Sequence, residues 1–333
     1  MKSFLKKGLI LAMSSMMFLS SCSDDDNNDQ NPDPGPQSLT ATLAADARFS
    51  VLVDALQRTG LDATLDASGT YTVFAPTDAA FTTALGDLGY NSLDELEAAL
   101  TTAGLRNVLL YHVLGAEVMA ADVSTGYAST AATNADGDAL SLFINAGSEV
   151  LINDAATVRE TDINASNGVA HVIDAVILPL SVYGLIQVNP DYSSLEAALG
   201  LADGNLDDVL SGDAAQYTLF APNNAAFDTV VANTPGVNNL GELVAALGTD
   251  VLSTVLLYHV VDGTVLAADL STGSVNTLAS DGMGGQLDIF INIGTEVNII
   301  DDNNDTQDAV VTGTDFVGTN GAMHTISSVL LPQ

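Results

Sequence analysis

Long stretches of this sequence occur twice, in the same order. The segment 108–126, "VLLYHVLGAEVMAADVSTG", matches 255–273, "VLLYHVVDGTVLAADLSTG", at 13 of 19 positions. Three more pairs match along the chain: 71–81 with 217–227, 141–152 with 288–299, and 167–179 with 320–332. These offsets are far longer than a solenoid unit of roughly 20 to 50 residues, which buries its apolar face only against its neighbours. Each copy is therefore expected to bury a core of its own.

Both copies show the same succession of secondary-structure patterns. An amphipathic helix comes first, followed by a short apolar segment, "TYTVFAP" or "QYTLFAP", which predicts a buried strand ended by proline. Thr77 and Asn223 then predict helix starts, because their side chains can accept the free amides of a first turn. A further helix leads into "LLYHV", and segments rich in Val, Ile and Thr predict strands and hairpins after it. Helices followed by strands favour an α+β fold.

Three motifs in this order resemble the fasciclin domain: "TVFAPTDAAF", the Tyr-His pair and "NGVAHVIDAVILP". The resemblance implies an α+β fold of two tandem fasciclin-like domains, each a twisted β-sandwich wedge with packed helices. We expect the first domain at 38–181, called the first copy below, and the second at 182–333, called the second copy. The second copy departs at Asn223-Asn224 and at Ala322-Met323, but both changes keep the polar cap and the apolar strand.

The beginning of the chain is typical of a lipoprotein signal peptide, expected at 1–21. Three lysines precede an apolar stretch, Gly8 to Leu19, which is too short to span a bilayer. The stretch ends in "LSSC", which resembles a bacterial lipobox, and Cys22 is the only cysteine of the chain. Lipidation is the most economical use of Cys22, since no second cysteine allows a disulfide. A stray cysteine in an ordinary signal peptide is the alternative.

Residues 22–37 are expected to form a lipidated cysteine and a disordered acidic tether. The segment has almost no apolar residues, so it cannot bury enough surface to offset its ordering entropy. Ser23 followed by Asp24, Asp25 and Asp26 also resembles the export signal of surface lipoproteins of the Bacteroidetes, although a plain solvated linker explains it equally well. We therefore expect a protein anchored by lipid in the outer membrane and facing the exterior.

The charge of the chain excludes two classes of partner. The three lysines lie in the signal segment, so four arginines stand against 42 acidic residues, and no lysine or arginine follows Arg159. Nucleic acid and anionic membrane surfaces would be repelled by such a chain. We expect no nucleic-acid binding, and membrane contact only through the lipid anchor.

The four histidines form two equivalent pairs, one pair in each copy. His112 and His259 follow a tyrosine at the end of a predicted helix, and His171 and His324 lie in a predicted strand. We interpret His171 and His324 as structural. For the pairs Tyr111-His112 and Tyr258-His259 a core role is favoured, with a ligand-contact role as the alternative, since related motifs are linked to adhesive recognition in the family. Two histidines per copy without cysteines are weak support for zinc.

The sequence contains no pattern that favours an enzyme. It has no G-x-S-x-G elbow, no cysteine is left after lipidation, and chance proximity among so many acids says nothing specific about hydrolysis. We expect no cofactor, with one exception. Asp301, Asn303 and Asp305 alternate as in a calcium loop, but the usual glycine and glutamate are missing. This segment is interpreted as a solvated hairpin tip, with weak calcium binding as the alternative.

The leading hypothesis is a non-enzymatic cell-surface lipoprotein that mediates adhesion or extracellular matrix and biofilm interaction. It rests on the lipobox, the tether and the resemblance, which implies an extracellular matrix component, a glycan or a surface protein as partner. The alternative is a surface glycan-binding accessory protein for polysaccharide capture. The break between the copies, at Asn189-Pro190-Asp191, is brief, which predicts a fixed angle between the domains.

Overall fold

The computed structural model describes residues 37–212, 215–301 and 308–332. The signal segment, Cys22 and nearly all of the tether lie outside these residues, as do Asn303 and Asp305. In the described part, no single helix is long and apolar enough to cross a membrane. The criterion is met only when two helices, Leu240–Leu247 and Thr249–Tyr258, are taken together, and this pair is bent by 106° at the break between them.

Three of the five helices of the first copy begin at polar side chains that accept backbone amides. The five are α1 (Leu39–Ala44), α2 (Ser50–Thr59), α3 (Leu61–Asp66), α4 (Asp78–Asp87) and α5 (Leu93–Tyr111). Ser38, Thr77 and Ser92 cap α1, α4 and α5 by accepting an N–H from the third residue after each cap. The cap predicted at Thr77 is therefore present, and Asn223 caps its counterpart in the second copy.

Seven strands of the first copy pair into a closed ring. They are β1 (Tyr71–Pro76), β2 (Val113–Leu114), β3 (Gly126–Thr133), β4 (Ala139–Ala146), β5 (Val150–Ile152), β6 (Ala156–Ala165) and β7 (Gly168–Ile173). Sequential neighbours are antiparallel, and β1 closes the ring by pairing parallel with β7. Gly168 begins β7 because a Cβ there would lie 2.0 Å from the carbonyl oxygen of Tyr71.

The second copy repeats this architecture. Its helices are α6 (Val182–Gln187), α7 (Ser193–Leu201), α8 (Leu206–Ser211), α9 (Asn224–Asn233), α10 (Leu240–Leu247) and α11 (Thr249–Tyr258). Its strands are β8 (Tyr217–Pro222), β9 (Val260–Asp262), β10 (Gly273–Ser280), β11 (Gln286–Ile293), β12 (Val297–Ile300), β13 (Ala309–Gly318) and β14 (Gly321–Ile326). Parallel pairing of β8 with β14 closes the second ring. The predicted α+β class and the two tandem domains are confirmed.

Each copy has two apolar cores that meet at its first strand. In the first copy, one core fills the ring of strands and includes Phe74, Leu142 and Ile173. The other lies between the helices and the outer surface of the ring, where Val73 and Val172 contribute. Successive residues of β1 therefore point into different cores, and both of its faces are buried. This burial on both faces explains why the strand is continuously apolar in sequence.

One helical segment is broken at the same position in both copies, and the residue at the break is different in each. Thr101, within α5, has φ 67° and ψ 161°, so the helix continues on either side of a kink. Gly248, at the equivalent place, has φ 89° and ψ 153° and separates α10 from α11. Glycine adopts this region readily, whereas a β-branched residue there is strained. Thr101 therefore holds a conformation that suits the glycine of the other copy.

Candidate functional site

The tyrosine of each Tyr-His pair is buried and bonded to the backbone of a strand. Tyr111 has no exposed surface, and its hydroxyl donates to the carbonyl oxygen of Ser141 at 2.8 Å and accepts from the side-chain amide of Asn153 at 3.0 Å. Burial raises the pKa of Tyr111. Tyr258 is equally buried, and its hydroxyl donates to the carbonyl oxygen of Asp288 at 2.7 Å. Each tyrosine thus ties a helix end to the ring of strands.

The histidine of each pair joins the same helix end to the chain that leaves the last strand. The Nδ1–H of His112 donates to the Val108 carbonyl oxygen at 2.8 Å, and Nε2 accepts the Ile177 N–H at 3.1 Å. His259 repeats this with Val255 at 2.7 Å and Leu330 at 2.9 Å. Burial lowers the pKa of both imidazoles to about 4, so they are neutral at pH 7.

The strand histidines are held in a second repeated arrangement. The Nε2–H of His171 donates to the Val118 carbonyl oxygen at 2.8 Å, and Nδ1 accepts the Asp162 N–H at 3.2 Å. The Asp162 carboxylate in turn accepts the Ala120 N–H at 2.9 Å. Asp162 has φ 60°, a left-handed conformation that marks an irregularity in β6. The His171 ring thus ties β7 to the bulge of the neighbouring strand and to the connection after β2.

The second copy preserves that arrangement atom by atom. His324 donates to the Val265 carbonyl oxygen at 2.8 Å and accepts the Asp315 N–H at 3.3 Å, while the Asp315 carboxylate accepts the Ala267 N–H at 2.7 Å. Burial lowers the pKa of His324. The partners Asp162 and Asp315 were not among the candidate residues found in the sequence. One signal could have found them, because each lies nine residues before its histidine.

These bonds decide what the histidines can do chemically. Both ring nitrogens of all four are bonded to backbone groups of the chain, and the rings are at most 2% exposed. An imidazole with both nitrogens bonded in this way can neither take a proton from a substrate nor bind a metal ion without breaking a structural bond. The geometry favours the core role for both Tyr-His pairs over the ligand-contact alternative.

No metal site is assembled in residues 37–212, 215–301 and 308–332, where no group of three or more His, Cys, Asp or Glu side chains could hold an ion. The Asp301 carboxylate accepts the Leu331 N–H at 2.8 Å. Its companions Asn303 and Asp305 lie outside the described residues. Weak calcium binding at this loop stays a prediction.

The two copies contact each other through one face of the first ring of strands. The hydroxyl of Tyr127 on β3 donates to the Leu185 carbonyl oxygen at 2.7 Å, and its ring lies 4.4 Å from that of Phe316. Ser141 on β4 accepts the Val317 N–H at 3.0 Å. Helix α6 and strand β13 of the second copy therefore cover the outer surface of β3 and β4.

Phe143 lies on this covered surface. Its ring packs edge-on against that of Tyr127, with 5.1 Å between the ring centroids, and it is only 2% exposed. Polar neighbours are buried with it, since Ser141 is also 2% exposed. The first copy thus uses this part of its ring as a protein interface.

The same surface of the second copy is exposed. We call it the β10–β11 face and define it by five side chains on the outer surface of two paired strands: Ser274, Asn276, Asp288, Phe290 and Asn292. Phe290 is the counterpart of Phe143 but is 40% exposed. Ser274 and Asp288 stand where the first copy has Tyr127 and Ser141. The second copy therefore presents, to the solvent, the equivalent of a surface that the first copy buries.

Comparison with known proteins agrees with the repeated architecture. The fasciclin domain model matches residues 47–179 and 190–332. Transforming growth factor-beta-induced protein ig-h3 of Sus scrofa is 26% identical over 273 residues, which is 81% of this chain and 36% of that protein. Protein sll1483 of Synechocystis is 37% identical over 142 residues, 43% of this chain and 73% of that protein. The chain spans only about a third of the length of the Sus scrofa relative.

A solved structure of similar size also aligns. It is a FAS1 domain pair from the insect cell adhesion molecule fasciclin I, with a TM-score of 0.48 and 19% identity, covering 88% of this chain and 95% of that chain. The family model alone accounts for most of the described residues, one match in each ring of strands and its helices. The chain therefore belongs to the fasciclin domain family, with one domain in each copy.

Proposed function

We propose that this protein is a non-enzymatic cell-surface lipoprotein that mediates adhesion or matrix interaction through the β10–β11 face. Fasciclin domains occur in cell-adhesion proteins. The observation that carries the proposal is the 40% exposure of Phe290, set against the 2% exposure of Phe143. One copy buries this surface against a neighbouring domain, so the same surface of the other copy suits a protein or glycan partner.

The composition of the face suits recognition. Burying the exposed part of the Phe290 ring would contribute about 2 kcal/mol, taking roughly 25 cal/mol for each Å² of apolar surface. Aromatic side chains supply much of the binding energy in interfaces, and polar side chains around them supply directed hydrogen bonds. Asn276, Asp288 and Asn292 surround Phe290 with amide donors and oxygen acceptors.

Charge narrows the class of partner. The second copy has no lysine or arginine, and the four arginines of the chain all lie in the first copy. An anionic partner would be repelled from the β10–β11 face, whereas a neutral or basic one would be tolerated or attracted. We therefore favour a neutral or basic matrix component or surface protein over a sulfated or nucleic-acid polymer.

The proposal includes an anchor and a location. Cys22 would carry the lipid, and residues 22–37 would tether the two domains to the exterior of the outer membrane. The support for this part is the sequence of residues 1–37, with its basic start, apolar stretch and single cysteine. Lipid chains on one cysteine, at about 0.8 kcal/mol per buried methylene, hold a protein stably without a membrane helix.

The second candidate function is surface capture of a glycan. It is favoured by the chemistry of the same face, since an exposed aromatic ring beside amide and carboxylate groups can stack on a sugar ring and bond its hydroxyls. The two candidates share a surface and differ in the partner. A neutral polysaccharide would satisfy the charge argument equally well.

A deletion strain tests the adhesion proposal. We expect reduced attachment and biofilm formation, restored by the full-length gene, and unchanged attachment would count heavily against it. Purified domains on a glycan array, with calcium and with chelator, separate the second candidate from the first. Binding to matrix proteins with no bound glycan supports adhesion, and the reverse result supports capture. Glycan binding lost only with chelator would support the calcium loop at Asp301.

A further inference from the structure

A cavity of about 170 Å³ lies in the second copy, between strands β8 to β11 and the connection from β9 to β10. Its wall is formed by apolar side chains: Phe220, Val261, Val265, Leu270, Val275 and Ile291. Four of these belong to the core inside the second ring and the other two pack against it, so the cavity is an opening into that core. It is therefore separate from the β10–β11 face, whose side chains point outward.

In the first copy, the counterparts of three of the cavity residues line a much smaller space. Phe74, Val123 and Ile144 are the counterparts of Phe220, Leu270 and Ile291, and they line a space of only about 20 Å³. The connection between β2 and β3 contains a 3-10 helix, Ala120–Asp122, whereas the matching connection in the second copy is a turn. The cavity of about 170 Å³ thus lies beside a connection whose conformation differs from that of its counterpart in the first copy.

The buried threonine of the cavity wall, Thr218, already uses its hydroxyl in hydrogen bonds to the backbone. The Thr218 hydroxyl donates to the Gly263 carbonyl oxygen at 2.6 Å and accepts the Val265 N–H at 2.8 Å. Asp269 and Ser271 also line the cavity, but both are exposed and so lie at its mouth. The cavity is consequently apolar inside with a carboxylate at its entrance.

Volume and charge together define a ligand class. An apolar cavity of about 150 Å³ in a protein interior stays dry and accepts benzene, so about 170 Å³ accommodates a six-membered ring or a branched alkyl group of similar size. No lysine or arginine of the second copy is available to neutralise Asp269, and the copy is strongly acidic. The negative electrostatic potential at the entrance favours a cation and disfavours an anion.

We propose that this cavity binds a small organic cation, an arylalkyl or branched alkyl ammonium, with its apolar group inside and its ammonium beside Asp269. The site does not depend on the proposed adhesive function. It would take a free amine or the amino-terminal residue of a peptide, since both present the same chemistry. The peptide source is distinguished by comparing a Phe-initiated peptide with its acetylated form.

Titration of the full mature chain tests the site, with benzylamine, benzyl alcohol and benzoate as matched probes and methyl NMR as the readout. We expect saturable shifts at Val265, Leu270 and Val275, and none at Val123 and Ile144 of the first copy. Benzylamine should bind about threefold more tightly than benzyl alcohol and about tenfold more tightly than benzoate, because an exposed pair of opposite charges attracts only weakly and an exposed pair of like charges repels to a similar degree.

Two variants locate the ligand. Val275→Phe should fill the space and abolish binding of all three probes. Asp269→Asn, an exposed change that leaves the fold intact, should keep benzyl alcohol binding and remove the preference for the amine. The proposal is overturned if no probe shifts the methyl groups of the second copy, or if benzoate binds as well as benzylamine. It is also overturned if a folded Val275→Phe chain binds undiminished, or if Asp269→Asn keeps the full preference.

Discussion

Phe143 and Phe290 occupy equivalent positions in two rings of strands built on the same pattern, yet Phe143 is 2% exposed and Phe290 is 40% exposed. The difference arises because α6 and β13 of the second copy cover the outer surface of β4, while the matching surface of β11 faces solvent. The Tyr-His pairs, by contrast, are equivalent in both copies and buried in both. We therefore propose that recognition takes place at the face that differs between the copies.

Relief of strain at Thr101 should stabilise the first copy. Thr101→Gly removes a β-branched side chain from a backbone conformation that costs of order 1–3 kcal/mol. The bond from the Gly104 N–H to the Thr101 hydroxyl is lost, but glycine in place of a capping threonine costs only a few tenths of a kcal/mol. We expect the free energy of unfolding of the first copy to rise by about 1 kcal/mol, measured by urea denaturation. Gly248→Thr is the matched control and should destabilise the second copy. A destabilised Thr101→Gly chain would contradict the strain assignment.

Removal of a buried imidazole should cost stability in one copy only. His112→Ala leaves the Ile177 N–H and the Val108 carbonyl without their side-chain partner, which typically costs 1–3 kcal/mol. Amide hydrogen exchange should quicken in the first copy and stay unchanged in the second, with the reverse pattern for His259→Ala. If both variants keep their stability but lose adhesion, the Tyr-His pairs contact the ligand after all.

The same two histidines should make stability depend on pH. Their folded-state pKa of about 4 lies below the value of about 6.5 expected in the unfolded chain, so the unfolded chain binds more protons between these values. The stabilisation is fully present above pH 6.5 and falls as the pH drops towards 4, by up to about 3 kcal/mol for each histidine. Thermal unfolding between pH 7 and 5 should show this decline. A flat profile would contradict neutral burial.

The contact between the copies should hold them at one angle. Tyr127→Ser, which removes the ring and its bond to the Leu185 carbonyl, should broaden the distribution of angles seen by small-angle scattering. Tyr127→Phe keeps the ring and should have a smaller effect. Scattering from the unaltered chain should fit a single arrangement of the two domains. A requirement for a broad ensemble in that sample would contradict the fixed angle.

Much of the fold could be predicted because it depends on local pattern. The caps at Thr77 and Asn223, the continuously apolar strands before them and the apolar surroundings of His112 are all visible in short stretches of sequence. Closure of each ring was not visible, since it pairs β1 with β7 across about a hundred residues. The bulge residues Asp162 and Asp315 were missed for a similar reason, because their partners are distant backbone groups.

The candidate face could not be predicted from its own residues. "LFIN" and "IFIN" give β4 and β11 nearly the same pattern, and burial of Phe143 depends on a domain that begins some forty residues later. The available signal was in the neighbours, where Ser274 replaces Tyr127 and Asp288 replaces Ser141. Polar residues beside a phenylalanine that both copies share indicate that this phenylalanine faces the solvent in the second copy.

Attachment of cells that display Phe290→Ser tests the central claim most directly. Leu201→Ser is the matched control, because Leu201 is a similarly exposed apolar residue of the same copy that lies away from the β10–β11 face. Both variants should fold and reach the surface in normal amount. We expect Phe290→Ser to reduce attachment to the level of the deletion strain and Leu201→Ser to leave it unchanged. Full attachment by a displayed, folded Phe290→Ser protein would contradict the assignment of recognition to this face.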